Sequence, residues 1–243
     1  NGEYICLLNN DTEVLPDFIE KMVDFLEKHP NAGMISPKIK LFPEKQYIWN
    51  AGNQINFRNA SVGINRGYLE FDPDDQKYTE IESNDFAAGT ALFVRKKYLE
   101  KIGLIDEIYF MYWEDPDWNF RAKALGYESY YVPTTIVYHK IPINDNMSFR
   151  RQIFNDYFFK RNKQIIVWKF ASLKELIIFY LNFTQGTFFE IIKKLWHLAF
   201  PYLIINLKSL WHGFRIGLKR RTHRSCKKYL IKDYFYIQKL HPF

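Results

Sequence analysis

Three groups of residues have the side chains and the setting to do chemistry. Asn9-Asn10-Asp11 follows the apolar run Tyr4-Ile5-Cys6-Leu7-Leu8, so two amides and a carboxylate are delivered where a buried strand ends. Hard divalent cations take carboxylate and phosphate oxygens together, which makes Asp11 a candidate ligand for a cation bridging a diphosphate. The same residues are also favoured in ordinary turns, and spacing alone leaves that alternative open. In Trp113-Glu114-Asp115-Pro116-Asp117, three carboxylates follow directly on the aromatic run Phe110-Met111-Tyr112. Aromatic walls withdraw water from a carboxylate and raise its pKa toward that of a general base. Acidic residues at a helix N-terminus are also stabilised by the helix dipole without any further role. His139 ends the run Ile136-Val137-Tyr138; it either completes the coordination of a cation held by Asp11 or is a satisfied core histidine.

The elements that must position these groups alternate as in an α/β protein. Tyr4 to Leu8 reads as a strand whose C-terminal edge is a ligand-binding edge in an open sheet. Pro16 opens a helix of about three turns through Phe18, Ile19, Met22, Val23, Phe25 and Leu26, which His29-Pro30-Asn31 ends. Met34 to Ile39 is a second strand, and residues 43 to 84 form a polar excursion with hairpins, the kind of segment that carries binding loops. The small residues of Phe86-Ala87-Ala88-Gly89-Thr90 precede a strand to Val94 and let a ligand approach the backbone. A helix follows the acidic cluster and ends at Gly126 in a C-cap position. Tyr130-Tyr131-Val132-Pro133 and Ile136 to His139 read as two short strand-like pieces.

Taken in order, these segments resemble glycosyltransferase family 2, especially its rhamnosyltransferase-like members that build bacterial cell-surface polysaccharides. The resemblance covers roughly residues 1 to 165. It rests on Leu7-Leu8-Asn9-Asn10-Asp11-Thr12-Glu13-Val14, on Ala88 to Arg95, on Gly103-Leu104-Ile105-Asp106-Glu107, on Phe110 to Asp117 and on Arg121 to Tyr127. It implies a GT-A-like mixed sheet flanked by helices, incomplete at its N-terminus because the strands that hold nucleobase and ribose are expected upstream of Asn1. It also implies an inverting transfer from a nucleotide-diphosphate sugar, rhamnose being the family-level guess, to a glycan or lipid-linked acceptor. Asp11 falls on the last acidic position of the family's metal-binding motif, with Asn9 on the first, and the cofactor implied is Mn2+ or Mg2+. Asp115 becomes the general base, with Glu114 its partner, and His139 a further metal ligand. Asn9, Asn10, Asp85, Gly89, Trp113 and Arg121 fall on the substrate side.

Composition divides the chain. Residues 151 to 243 hold 18 Lys/Arg against 4 Asp/Glu, or +14, whereas residues 1 to 150 hold 16 against 23, or −7. The expected organisation is a catalytic domain over 1–150 and a basic, amphipathic helical region over 151–243. Such asymmetry points to a polyanionic partner. The run Leu195 to Leu207 has 13 uncharged residues, and Gln164 to Tyr180 is interrupted by Lys169, Lys174 and Glu175; both are poor transmembrane spans. Glu190, Lys193, Lys194, His197, Lys208, His212, Arg215 and Lys219 fall on one narrow helical face, with a bend expected at Pro201. Arg220, Arg221, Arg224, Lys227 and Lys228 extend the charge. That pattern fits an anionic membrane surface and a peripheral position on the cytoplasmic face of the bacterial inner membrane. No nucleic acid is expected as a partner, although interleaved basic and aromatic residues make a nucleic-acid-binding protein the rival class, and a non-catalytic assembly partner a second rival. Cys6 and Cys226 alone give neither a disulfide framework nor a zinc site.

Overall fold

Helix α1 (Phe18–Lys28) buries Phe18, Met22, Phe25 and Leu26, spaced so that all four project from one side of a 3.6-residue period. In the computed structural model, which describes residues 2–59, 62–141, 148–182 and 200–221, this side lies on a mixed sheet. Its strands are β1 (Tyr4–Leu8), β2 (Thr12–Val14), β3 (Ala32–Leu41), β4 (Ile48–Asn50), β7 (Glu82–Asn84), β8 (Ala91–Arg95) and β9 (Glu128–His139). The main order is β1-β8-β3-β9-β2, with β4 on β3 and β7 on β9. Only β3 and β9 pair in parallel; the other ladders are antiparallel. Strands β5 (Asn53–Asn56) and β6 (Val62–Asn65) pair separately within the polar excursion.

Period-two alternation gives the sheet two apolar faces. Ile35, Ile39, Phe93 and Val137 meet α1 on one face. Met34, Leu92 and Val94 meet Tyr98 and Ile102 of α2 (Lys96–Ile102) and Trp118 and Ala122 of α3 (Glu114–Ala124) on the other. Each fully buried side chain of this size is worth about 1.5–3 kcal/mol. Two lysines of β3 are also buried, and their ammonium groups are satisfied from the excursion: Lys38 pairs with Asp72, and Lys40 donates to the Asp72 carbonyl at 2.6 Å. Gly126 ends α3 with φ of 86°, the left-handed C-cap expected of it.

Two details differ from the sequence expectation. The two pieces at Tyr130 and Ile136 are one strand, β9, whose pairing with β3 shifts register between Ser36 and Lys38. Pro37 and Pro133 fall in that interval and cannot donate to a ladder, so the strand continues through a bulge. The turn after Asn9 leads into a short strand, β2, that pairs Thr12 with His139.

The chain divides into two compact units: residues 1–54, 63–105 and 115–145 make the first, and residues 55–62, 106–114 and 146–243 the second. The second unit is built on α4 (Phe149–Phe170), a helical stretch over residues 173–182 (α5) and α6 (Phe200–Arg221). The apolar stretch from Gln164 to Tyr180 is broken at Ala171-Ser172, where Ser172 and Glu175 form a reciprocal capping box: the Ser172 N–H donates to Glu175 at 2.8 Å and the Glu175 N–H to Ser172 at 3.3 Å. Ser209, Gly213 and Gly217 form the inner seam of α6. A Cβ on Gly213 would lie 2.5 Å from the Arg161 carbonyl oxygen and one on Gly217 2.4 Å from Trp168 Cβ, so only hydrogen fits. Arg220 and Arg221 do not extend a free basic face: Arg220 lies 3.4 Å from Asp106, and Arg221 donates to the carbonyls of Trp168 and Ala171, at the end of α4. Among the described residues no helix is long and apolar enough to cross a membrane. Glu190, Lys193, Lys194, His197, Arg224, Lys227, Lys228, Cys226 and the Pro201 side chain lie outside what is described.

Candidate functional site

Where β1 ends, the Asn9 N–H donates to the Thr90 carbonyl at 3.0 Å and the Thr12 hydroxyl to the Asn9 carbonyl at 2.7 Å. That turn sends the chain into β2, and the Lys140 N–H donates to the Asp11 carbonyl at 2.7 Å. Asp11 is thereby set beside His139 although the two are far apart in sequence. Asp11 Oδ1 and His139 Nε2 stand 3.2 Å apart, yet both atoms are buried with no hydrogen bond, as is His139 Nδ1. The His139 ring lies edge-on to Trp49, with centroids 5.4 Å apart. Burial lowers the His139 pKa, outweighing the opposing charge of Asp11, so the imidazole is neutral at neutral pH.

His139 Nε2 either donates to the Asp11 carboxylate or offers it a lone pair, according to the tautomer; with the ring proton on Nδ1, a positive ion between the two atoms would offset their burial. Donors at about 2.1 Å from one octahedral ion, at right angles, lie about 3 Å apart, so this pair fits adjacent ligands of a hard divalent cation. The rest of Asp11 is open, its side chain 47% exposed. Among the described residues no group of three or more His, Cys, Asp and Glu converges.

Asp115 is fixed from the opposite end of the same turn. Its Oδ2 accepts the Gly89 N–H at 2.9 Å, and a Cβ on Gly89 would come within 3.3 Å of Asp115 Cβ. Asn119, one turn further along α3, donates to the Asp115 carbonyl at 2.8 Å and accepts from the Ala87 N–H at 3.0 Å and the Ser129 hydroxyl at 2.7 Å. The first turn of α3 is thus tied to the segment that enters β8, next to the Thr90 carbonyl bonded by Asn9. Glu114 is half-buried, its Oε2 is buried with no hydrogen-bond partner, and loss of water raises its pKa.

Three residues without glycine's freedom hold left-handed backbone just before this helix: Phe110, Tyr112 and Trp113, with φ of 61°, 64° and 71°. Such conformations cost about 1–3 kcal/mol each and concentrate at functional sites. They are held from α4. The Asn162 side-chain amide lies within hydrogen-bond distance of the carbonyls of Tyr109 (2.8 Å), Met111 (2.7 Å) and Tyr112 (2.8 Å). Arg161 donates to those of Ile108 and Tyr109. Sequence reasoning missed both residues. The available signal was an Asn in mid-helix, where its amide competes with the helix and needs a reason to stay.

The structure therefore brings Asn9, Asp11, Gly89, Asp115 and His139 to one turn, and corrects Arg121. That guanidinium is 4% exposed and bonds Asp117 at 2.9 Å and the carbonyls of Ile102 at 2.6 Å and Leu104 at 2.8 Å; it clamps α2 to α3 and faces no ligand. Trp113 is 6% exposed and packs on Phe159 at 5.5 Å, a core position rather than an open platform for a sugar ring. Asp85 pairs with Lys123 at 3.4 Å. Asn10 is exposed.

Residues 4–214 match the model of the glycosyl transferase family group 2. An N-acetylglucosaminyl-diphospho-decaprenol L-rhamnosyltransferase of Mycobacterium tuberculosis is 26% identical over 144 residues, which is 56% of this chain and 47% of that protein. The uncharacterized protein y4gI of Sinorhizobium fredii is 26% identical over 144 residues, 57% of this chain and 15% of that one. The chain spans about half the length of the first of these relatives and less of the second. Among solved structures, that of GalNAc-T7 with UDP, GalNAc and Mn2+ superposes with a TM-score of 0.52 at 14% identity, covering 95% of this chain and 42% of that one. At that identity the likeness is one of fold, and the fold is the GT-A mixed sheet flanked by helices.

Proposed function

The chain belongs to the glycosyl transferase family group 2, and from that premise we propose that it moves a sugar, with inversion, from a nucleoside-diphosphate sugar to a hydroxyl of a glycan or lipid-linked acceptor. The observation that carries this reading is the Asp11–His139 pair, with Oδ1 and Nε2 3.2 Å apart and shielded from water while the rest of Asp11 is open. Asp11 and His139 would hold a divalent cation, Mn2+ or Mg2+, which would supply positive charge to the departing diphosphate.

Asp115 takes the proton of the acceptor hydroxyl as its oxygen attacks the anomeric carbon and the bond from that carbon to the diphosphate oxygen breaks. The Gly89 N–H holds one carboxylate oxygen in place, so the base is oriented before substrate arrives. Rhamnose is the first donor sugar to try, because the M. tuberculosis relative is a rhamnosyltransferase, and cell-surface polysaccharide synthesis is the setting.

A peripheral position on the cytoplasmic face of the inner membrane belongs to the same proposal. The outward side of α6 presents Leu207, Trp211 and Leu218, 58%, 57% and 40% exposed, among exposed Lys208 and Arg215. Apolar and basic side chains on one outward face suit an anionic lipid interface. Vesicles containing phosphatidylglycerol should sediment the protein, and Trp211→Glu should release it; tight binding to RNA or DNA that vesicles do not displace would overturn this part.

The enzyme reading is tested with a panel of nucleoside-diphosphate sugars, rhamnose donors included, assayed with and without Mn2+ or Mg2+. Transfer that depends on the metal and is lost in Asp115→Asn and Asp11→Ala supports it. Undiminished transfer in both variants would sink it.

A further inference from the structure

We propose that Asn162 and Arg161 of α4 are positioning residues for the loop from Ile108 to Trp113 and, through it, for Glu114. The proposal rests on the transferase reading given above, but its geometry stands without it.

The backbone from Ile108 to Trp113 satisfies only part of its own hydrogen bonding, the Met111 N–H reaching the Tyr109 carbonyl at 2.7 Å. With left-handed residues at positions 110, 112 and 113, its carbonyls point away from any regular ladder, and each one buried without a partner costs about 1–3 kcal/mol. Asn162 is fully buried. It has two amide hydrogens for three carbonyl oxygens, so at least one hydrogen is shared. Its own Oδ1 accepts from Arg161 Nε at 2.8 Å, which fixes the amide the right way round. The Arg161 guanidinium also lies over the Phe158 ring, 4.7 Å from its centroid, which holds the fork in place.

The brace extends one layer further. Arg161 and Gln164 form the surface of α4 against which Gly213 of α6 packs. The turn of α4 that grips the loop is thus backed by a glycine contact that admits only a hydrogen atom. The loop leads straight into Glu114, whose buried Oε2 has no hydrogen bond to orient it. The backbone leading into Glu114 places its Cα, and Asn162 binds three carbonyls of that backbone. An aspartate in its place would turn donors into acceptors facing the same carbonyls, at almost unchanged volume.

The test combines kinetics with amide hydrogen exchange on the full chain. Asn162→Ala and Asn162→Asp should lower kcat by about 10²-fold while leaving the donor KM nearly as it was. They should also speed exchange in residues 107–114, where the carbonyls lose their partner, with exchange in α4 and α6 unchanged. Transfer at the wild-type rate, or a loss that comes with faster exchange throughout α4 and α6, would overturn the proposal in favour of a merely structural role. If Asn162→Ala does not fold, Arg161→Lys keeps the charge and the helix but loses the fork; the same confined exchange response is expected, and an unaltered loop refutes the idea. Should the wild-type protein transfer no sugar from any donor in the panel, the transferase reading fails, and the exchange data alone decide whether the clamp exists.

Discussion

Helix α3 contains two sets of titratable side chains one turn apart, and they are treated in opposite ways. Asp117 and Arg121 are 0% and 4% exposed, and Arg121 reaches Asp117 and two carbonyls at the end of α2 and beyond it. Burial of that kind is costly unless every donor and acceptor is matched, and here the matches come from the protein itself. Glu114, at the start of the same helix, has a buried oxygen with no hydrogen bond, and the Asp11–His139 pair has buried atoms facing each other across an unbonded gap. The lesson is that burial and charge do not mark a site. Matched charges build the scaffold, and unmatched ones await a proton, an ion or a substrate.

The comparison can be broken at either end. The largest effect is expected from Asp115→Asn, which should lower the rate of sugar transfer by about 10²–10⁴-fold, the contribution of a positioned base; a loss that appears only in donor KM would reassign Asp115 to binding. Next is Arg121→Met, which strands Asp117 in the core and should cost about 3–5 kcal/mol in a denaturant titration, with transfer per folded molecule retained. A catalytic defect without a stability defect would return Arg121 to the site. Asp11→Ala should raise the Mn2+ concentration needed for half-maximal transfer by at least about 10–100-fold, and unchanged metal dependence would leave the gap beside His139 unexplained.

The smallest effect concerns Glu114. Burial raises its folded-state pKa, so the neutral form is favoured in the native state and ionisation is opposed. The stability this group contributes is complete below its unfolded pKa and is lost as pH rises through the folded value. Glu114→Gln should therefore melt like the wild type in acid and above it at alkaline pH; a difference of constant size across the pH range would mean the carboxyl is not the cause.

Much of this was legible in the sequence, and the reasons differ by element. Strand β1, helix α1 and the Gly126 cap depend on local periodicity and local stereochemistry, which travel with the residues. Strand β9 was split in the reading because Pro133 is a sound local stop signal; the bulge that lets the strand continue depends on Pro37 of β3, a partner the sequence does not name. Asp11 and His139 are far apart in the sequence, and the β2–β9 register brings them together. Arg121 was misjudged because a guanidinium near acidic residues looks the same in sequence whether it faces a ligand or the carbonyls of α2. Arg161 and Asn162 were invisible because they recognise the shape of a backbone rather than a side chain.

The inner seam of α6 also governs which sequence changes the helix can absorb. Ser209, Gly213 and Gly217 are chosen for size and their outward neighbours for polarity, so each position answers to one criterion but the helix answers to both at once. Point substitutions can be weighed one side at a time. A deletion cannot, since losing one residue after Ser209 turns everything beyond it by about 100°. Phe214 and Leu218 would then stand where the gaps of 2.5 and 2.4 Å at Gly213 and Gly217 admit only a hydrogen atom. The phase of α6 is therefore less tolerant of change than its composition, and a single-residue frame slip would be felt at α4, where Arg161 and Asn162 reside.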